Sequence, residues 1–182
     1  MKKIIMLIGP SASGKSTTEK WLFKKGLNKA VSCTTRKPRK GEKNGVDYFF
    51  LSKEEFLNKT SLIEKVEFAG NYYGVSDEQI PEGKTTVLVV EPKGAKQILE
   101  YYKNDINTKV FIVYFDVSKW TMLKRMIKRG DGFLNAIKRV FRDDISKNFK
   151  RLGLKPDLKI KKDNNKSAEE IADYIIEFFE RK

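Results

Sequence analysis

Two glycines, a lysine and a serine stand at a fixed spacing near the start of the chain, where residues 9–17 read Gly-Pro-Ser-Ala-Ser-Gly-Lys-Ser-Thr. They fit the pattern G-x-x-x-x-G-K-S/T, in which the glycines let successive backbone N–H groups turn toward an anion. The lysine is expected to reach the β- and γ-phosphates of a nucleotide, and the serine hydroxyl to ligate Mg²⁺. The pattern predicts a nucleoside triphosphate site that is formed by Gly9, Pro10, Ser11, Ala12, Ser13, Gly14, Lys15, Ser16 and Thr17.

The flanking residues supply the structural context that this pattern requires. An apolar run from Lys3 to Ile8 has the length of a buried strand, and Ser16 to Lys25 can form a helix that ends near Gly26. In such a strand–loop–helix unit the positive end of the helix faces the phosphates.

Composition limits the chemistry that the chain can perform. Its 182 residues, 40% of them hydrophobic, predict one domain with a full core, and no apolar run is long enough to cross a membrane. The chain contains no histidine, so a bound metal should be a hard, oxygen-liganded ion such as Mg²⁺. The single cysteine, Cys33, cannot form an internal disulfide, which fits a reducing, cytoplasmic location.

A net charge of +14 indicates polyanionic partners. Residues 118–162 alone hold fifteen Lys and Arg against four Asp. Charge runs are usually solvated surface, and we expect about half of these side chains to be so. Because a nucleic-acid interpretation rests on charge alone, we expect small nucleotides rather than nucleic acid as the partners.

Predicted strands and helices alternate along most of the chain. Strands are predicted at 30–33, 85–90, 110–115 and 158–160, and helices at 92–102, 118–129, 133–152 and after Ser167. Residues 34–83 interrupt this order with a strand at 46–51, a short helix capped by Ser52 and Glu55, and a pair of strands within 62–73. The order predicts a three-layer α/β fold with a parallel sheet and an inserted β-rich subdomain.

The inserted segment carries a longer pattern. It reads Val31-Ser32-Cys33-Thr34-Thr35-Arg36-Lys37-Pro38-Arg39, then Gly41-Glu42 and Asn44-Gly45-Val46-Asp47-Tyr48-Phe49-Phe50, and later Leu62-Ile63-Glu64 and Phe68-Ala69-Gly70-Asn71-Tyr72-Tyr73-Gly74. Together with the phosphate loop, this resembles the signature of the guanylate kinase family over nearly all of the first half of the chain. The second half is similar in pattern only. The resemblance implies transfer of a phosphoryl group from ATP to GMP or dGMP in a P-loop NTPase fold.

The same resemblance divides the chain into functional parts. It implies a core (1–33, 84–128 and 150–182), an acceptor-binding subdomain (34–83) and a helical lid (129–149).

The resemblance also implies an acceptor site on the inserted segment. Arg36 and Arg39 suit a doubly charged monophosphate, because a guanidinium binds phosphate oxygens in pairs. Glu64 matches the acid that reads guanine, since a carboxylate can accept two parallel hydrogen bonds from N1–H and the exocyclic amine. The GMP-binding residues that the resemblance implies are Ser32, Arg36, Arg39, Tyr48, Glu64, Tyr73 and Ser76.

Further residues match the family's metal and lid positions. Glu91 follows the predicted strand at 85–90, so Ser16 and Glu91 form the implied metal site. Positioning and charge neutralisation dominate phosphoryl transfer, and no general base is required. The implied catalytic residues are Lys15, Arg39, Arg129 and Arg139, with Arg125, Lys128 and Arg142 as additional candidates.

Four features depart from the family's pattern. Val89 stands where an aspartate is usual, and Val75 where a serine or threonine is usual. Residues 130–135 replace an acidic lid segment, and 161–163 stand near the family's contact to adenine. Two alternatives therefore stay open: a kinase of a modified or pyrimidine deoxynucleoside monophosphate, and a non-catalytic binding module. The intact Lys15 and Ser16 argue against the module, and both a monomer and a homodimer remain possible.

Overall fold

The computed structural model describes residues 1–39, 41–68, 70–130, 132–142, 145–161 and 166–182. The strands are β1 (Lys2–Ile8), β2 (Asn28–Lys29), β3 (Cys33–Thr34), β4 (Phe49–Phe50), β5 (Leu62–Phe68), β6 (Asn71–Ser76), β7 (Thr85–Val89), β8 (Thr108–Asp116) and β9 (Leu158–Lys161). The helices are α1 (Lys15–Lys24), α2 (Lys53–Asn58), α3 (Pro92–Tyr101), α4 (Lys119–Lys128), α5 (Phe133–Arg142), α6 (Ile145–Arg151) and α7 (Ala168–Glu180).

The central sheet has the strand order β2-β7-β1-β8-β9, and every pairing in it is parallel. Its middle strand β1 is apolar on both faces: Ile4 and Met6 join one buried cluster, and Ile5 and Leu7 join the other. Parallel strands covered on both faces have such continuous apolar runs. The predicted α/β fold with a parallel sheet is therefore confirmed, and the loops that follow β1 and β7 leave the same edge.

The smaller sheet has the order β4-β3-β6-β5 and, apart from Cys33 of β3, lies within the inserted segment 34–83. β3 pairs with β4 in parallel, whereas β6 is antiparallel to both β3 and β5. The predicted capping box of Ser52 and Glu55 starts α2. Phe56 of that helix stacks on Tyr72 at 5.6 Å between ring centroids, and so covers one face of this sheet.

Several boundaries differ from the sequence predictions. The strand expected at 30–33 is replaced by β2 in the central sheet and β3 in the smaller one, and the strand expected at 46–51 is only Phe49–Phe50. The side-chain amide of Asn28 donates to Thr86 and Gln79 and fixes β2 two residues earlier than the apolar run predicts. The long basic helix expected at 133–152 consists of α5 and α6.

The two helices within the predicted lid pack on different parts of the molecule. Ile145 and Phe149 of α6 join the central core, where Phe149 packs on Tyr114 at 4.7 Å between ring centroids. Ala136 and Val140 of α5 instead form a separate small cluster with α4. Within the predicted lid 129–149, α6 thus packs on the central sheet and α5 packs on α4. Among the described residues, no helix has the length and apolar content needed to span a membrane.

Candidate functional site

The loop between β1 and α1 has backbone positions that only glycine fits. A Cβ on Gly9 would lie 2.7 Å from the carbonyl oxygen of Phe115 and 2.8 Å from its Cβ, so a side chain there would push β1 away from β8. Gly14, the N-cap of α1, has a left-handed backbone with φ of 105°. The first turn of α1 contains no acidic residue, which leaves its positive end uncompensated.

Lys15 lies across the mouth of this loop. Its Nζ donates to the carbonyl oxygens of Gly9 (2.6 Å) and Pro10 (2.8 Å) and to the hydroxyl of Ser13 (3.4 Å). An open cavity of about 290 Å³ adjoins it, with the loop on one side and cationic side chains of α4 on the other. The cavity is lined by Ala12, Ser13, Gly14, Lys15, Ser16, Thr17, Arg125, Arg129 and Ala168.

Arg125 connects α4 to the phosphate loop. Its guanidinium donates to the carbonyl oxygens of Ala12 (3.1 Å) and Ser13 (3.3 Å), and burial lowers its pKa below the ordinary value. Arg129, the C-cap of α4, lines the same cavity. Arg139 is exposed on α5 and does not line it. The side chain of Arg142 and the whole of Asp131 lie outside the described residues.

Arg36 is held in place by Glu42. The guanidinium forms a two-pronged ion pair with that carboxylate at 2.9 and 3.0 Å, and it also donates to the carbonyl of Lys37. The hydrogen bonds from Arg36 and from the backbone N–H of Arg39 hold the pKa of Glu42 below its usual range. The side chain of Arg39 itself is exposed, and Lys40 lies outside the described residues.

Aromatic rings surround the Arg36 guanidinium. It lies 5.3 Å from the ring centroid of Tyr48 and 5.8 Å from that of Phe50, and Tyr73 is also close to it. The rings of Tyr48 and Tyr73 meet edge to face, with 6.2 Å between their centroids. Burial raises the pKa of Tyr48. The half-buried Ser32 precedes β3 in the same sheet, and its carbonyl accepts from the Phe49 N–H at 2.9 Å. The structure thus brings Arg36, Tyr48 and Tyr73 together.

Glu64 is buried beside helix α3. Its residue is 6% exposed, and Gly94 in the first turn of α3 lies against its side chain. Burial, followed by the like charge of Glu91, raises the pKa of Glu64 to about 7. In the part of the chain that the structure describes, no hydrogen bond offsets that burial. A buried carboxylate of this kind favours a ligand that brings N–H donors.

Ser76 does not join this group, contrary to the sequence prediction. Side chains alternate along β6, so Ser76 points to the α2 face of the sheet while Tyr73 and Val75 point to the other face. Its buried hydroxyl bonds to the Ser61 hydroxyl at 3.1 Å. Val75 is 1% exposed within the central core, and Val89 packs against the cluster on the opposite face of the central sheet. Both valines therefore have packing roles.

The two residues expected to hold a metal lie at the same sheet edge. Ser16 is in the first turn of α1, the helix that follows β1. Glu91 lies two residues after the end of β7 and forms the N-cap of α3. Because β1 and β7 are parallel neighbours, with Leu7 beside Val89, both residues come from the carboxyl ends of adjacent strands. Lys162 and Asp163, expected near the adenine, lie outside the described residues, as does Ala69.

Two residues of this site had no role in the sequence predictions. Glu42 belongs to the quoted pattern, but nothing in its type indicated that it would pair with Arg36 rather than face solvent. Gly94 is a glycine within a helix, where alanine is favoured by up to about 1 kcal/mol. That unfavourable choice is the one sequence signal that could have identified it.

The chain is similar to known proteins over most of its length. A family model described as Guanylate kinase matches residues 1–178. The guanylate kinase of Mycoplasmopsis pulmonis is 41% identical over 140 residues, which cover 71% of each chain. That of a Synechocystis species is 42% identical over 144 residues, covering 74% of this chain and 73% of the relative. A crystal structure of guanylate kinase from Anaplasma phagocytophilum superposes with a TM-score of 0.64 at 27% identity, covering 98% of this chain and 85% of that one.

Proposed function

We propose that this chain, which belongs to the guanylate kinase family, transfers the γ-phosphoryl group of ATP directly to GMP or dGMP. The bond between the γ-phosphorus and the oxygen that bridges the β- and γ-phosphates breaks, and that oxygen leaves with ADP. An oxygen of the acceptor phosphate forms the new bond to the γ-phosphorus, which gives GDP or dGDP. The observation that carries the guanine assignment is Glu64, a carboxylate that is 6% exposed and has no donor among the described residues. Guanine offers that carboxylate two adjacent N–H groups.

The phosphate-loop residues are proposed to bind the donor. Lys15 lies where a triphosphate enters the cavity, and Arg125 and Arg129 come from the opposite side. Cations that converge on one cavity stabilise the negative charge on the equatorial oxygens of the transferring group. Arg139 would join them only if α5 moves toward the loop, because it does not line the cavity here.

The acceptor phosphate is proposed to bind at Arg36, with Arg39, Tyr48 and Tyr73 around it. Glu42 fixes the Arg36 guanidinium before any ligand arrives, which reduces the entropy lost on binding. Tyr48 and Tyr73 contribute hydroxyl groups beside that cation. Ser32 stays a predicted neighbour of the acceptor.

Ser16 and Glu91 fit a magnesium ion in chemistry and in position. Both provide hard oxygen atoms, both lie at the carboxyl edge of the central sheet, and the described residues contain no cluster of three His, Cys, Asp or Glu that could hold a metal. Such a sparse protein ligand set suits Mg²⁺, which keeps waters and phosphate oxygens in its shell. When bound, the ion would neutralise charge on the phosphates. A cytoplasmic location, consistent with the buried free Cys33, also stays a prediction.

The two alternative functions are less favoured. A pyrimidine acceptor was considered because of Val75 and Val89. Val89 packs against a core cluster of the central sheet. Val75 is the cross-strand neighbour of Glu64, but it is a buried apolar side chain, so Glu64 remains the hydrogen-bonding group of this pair. A binding module without activity would not need a lysine held across a phosphate loop.

A coupled assay of ADP release over all common nucleoside monophosphates, with ATP and Mg²⁺, tests the proposal. We expect GMP and dGMP to exceed AMP, CMP and UMP in kcat/KM by at least about a hundredfold, because a site built to hydrogen-bond its substrate rejects bases that leave it unpaired. Turnover with another base would overturn the guanine assignment. ATP binding without any turnover would favour the binding module.

A further inference from the structure

Strand β5 is fastened to helix α3 at a defined register. The side-chain amide of Gln97 accepts from the Lys65 N–H at 2.7 Å and donates to the Lys65 carbonyl at 3.1 Å. A strand at the edge of the smaller sheet is thereby paired with a core helix. The residue before Lys65 is Glu64, and the residue one turn before Gln97 is Gly94, so the same register brings these two together.

Gly94 occupies a position that tolerates no side chain while Glu64 is in place. A Cβ at residue 94 would lie 2.8 Å from Glu64 Cγ and 2.9 Å from its Cδ, and it would collide with its Oε1. The backbone does not explain the glycine, since Gly94 lies within α3 and has no positive φ. Alanine would be the better residue there for helix formation. The contact with the Glu64 carboxyl group is what excludes it.

We propose that Gly94 is a positioning residue that determines which acceptor base is accepted, by leaving the space in which the Glu64 carboxylate is held at the acceptor cleft. This inference rests on the proposed function. The Glu64 backbone cannot withdraw from α3, because the Gln97 clamp holds the adjacent Lys65 backbone. Any side chain at residue 94 must therefore displace the Glu64 carboxylate itself from the position that it has here.

Gly94→Ala tests the proposal in steady-state kinetics. We expect KM for GMP to rise about tenfold or more, which is the size of a lost hydrogen bond to a charged group, while KM for ATP stays within about twofold. The preference for GMP over inosine monophosphate, which lacks the exocyclic amine, should fall by a similar factor. Lys96→Ala, an exposed change in the same helix, is the matched control and should leave both quantities unchanged.

The double variant Glu64→Ala/Gly94→Ala separates positioning from general damage. The Glu64→Ala change removes the three atoms nearest to the new methyl group, so in that background Gly94→Ala should leave the base preference unchanged. The thermal midpoint should not fall, and a rise of a few degrees is expected because alanine is the better helix former. If Gly94→Ala alone does not fold, the double variant must fold. An undiminished preference in the single variant, or an equal loss in both backgrounds, would overturn the role of Gly94. Failure of the unmodified protein to use GMP would instead reject the proposed function.

Discussion

The Lys15 ammonium group bonds to carbonyl oxygens of the phosphate loop, and Lys15 also lines the cavity beside that loop. We predict that Lys15→Ala lowers kcat by about 10² to 10³, the usual loss when one donor to a developing anion is removed. The thermal midpoint should fall by only a few degrees, because the hydrogen bonds to Gly9 and Pro10 lie at a solvent-open cavity. Lys20→Ala, an exposed change on the same helix, is the control. Loss of the folded state would contradict a role on the phosphates.

Glu64 predicts a specific dependence of GMP binding on pH. Its pKa, raised by burial to about 7, means that the carboxylate is partly protonated at neutral pH, and guanine N–H groups bind the charged form. Affinity should therefore rise with pH, by about tenfold from pH 6 to pH 8. Titration calorimetry of GMP with the unmodified protein and with Glu64→Gln measures this. The second ionisation of the phosphate, near pH 6, contributes equally to both, so only the difference reports on Glu64. Equal slopes would refute the assignment.

Among the secondary-structure elements, helix α4 supports the phosphate loop through hydrogen bonds from Arg125. We predict that Arg125→Ala weakens ATP binding by about tenfold, because it removes two hydrogen bonds from a partly buried cation to the loop carbonyls. Binding of a fluorescent ATP analogue gives the affinity. Lys124→Ala changes the neighbouring exposed cation, and its ATP affinity should match that of the unmodified protein. A loss shared by both variants would indicate general electrostatics instead.

Elements whose signals are local could be predicted from the sequence. The apolar run of β1, the glycine spacing of the loop and the capping boxes at Ser52 and Ser167 are each specified by a few neighbouring residues. The strands β2 and β4, each two residues long, depend on partners distant in the chain and could not be placed this way. The side of the sheet that Ser76 faces depends on register. The bulge between Leu62 and Glu64 changes that register, and no composition rule reveals it.

The acceptor-site residues show the same limit. Residue type and the family resemblance identify Arg36, Tyr48, Glu64 and Tyr73. The structure places the two tyrosines beside the Arg36 guanidinium. What the sequence could not predict is the partner that each side chain finds. Glu42 and Gly94 act only through the positions of Arg36 and Glu64, and such dependence appears only once the chain is folded.

At the scale of the whole molecule, Lys15, Arg125 and Arg129 line one cavity, whereas the catalytic candidates Arg39 and Arg139 do not. Arg139 is exposed on α5, which packs on α4 through a small cluster and is separate from the central core. Phosphoryl transfer requires water to be excluded, so we predict that α5 and the smaller sheet approach each other when both substrates bind. Because α6 is packed into the core by Ile145 and Phe149, we expect it to stay in place.

Paired spin labels measure this closure directly. In a Cys33→Ala background, one pair of labels at Glu54 on α2 and Asn135 on α5, both exposed, should come closer when a ligand that joins ATP to GMP is added. A second pair joins Lys20 on α1 to Lys103 in the turn after α3, and α1 and α3 cover opposite faces of the central sheet. Its separation should stay the same, so that a general change in label behaviour is recognised. ATP alone should move the first pair less than the joined ligand, because only the joined ligand binds both parts. If the first separation is the same in every state, Arg139 has no route to the phosphates, and the catalytic cations are those that already line the cavity: Lys15, Arg125 and Arg129.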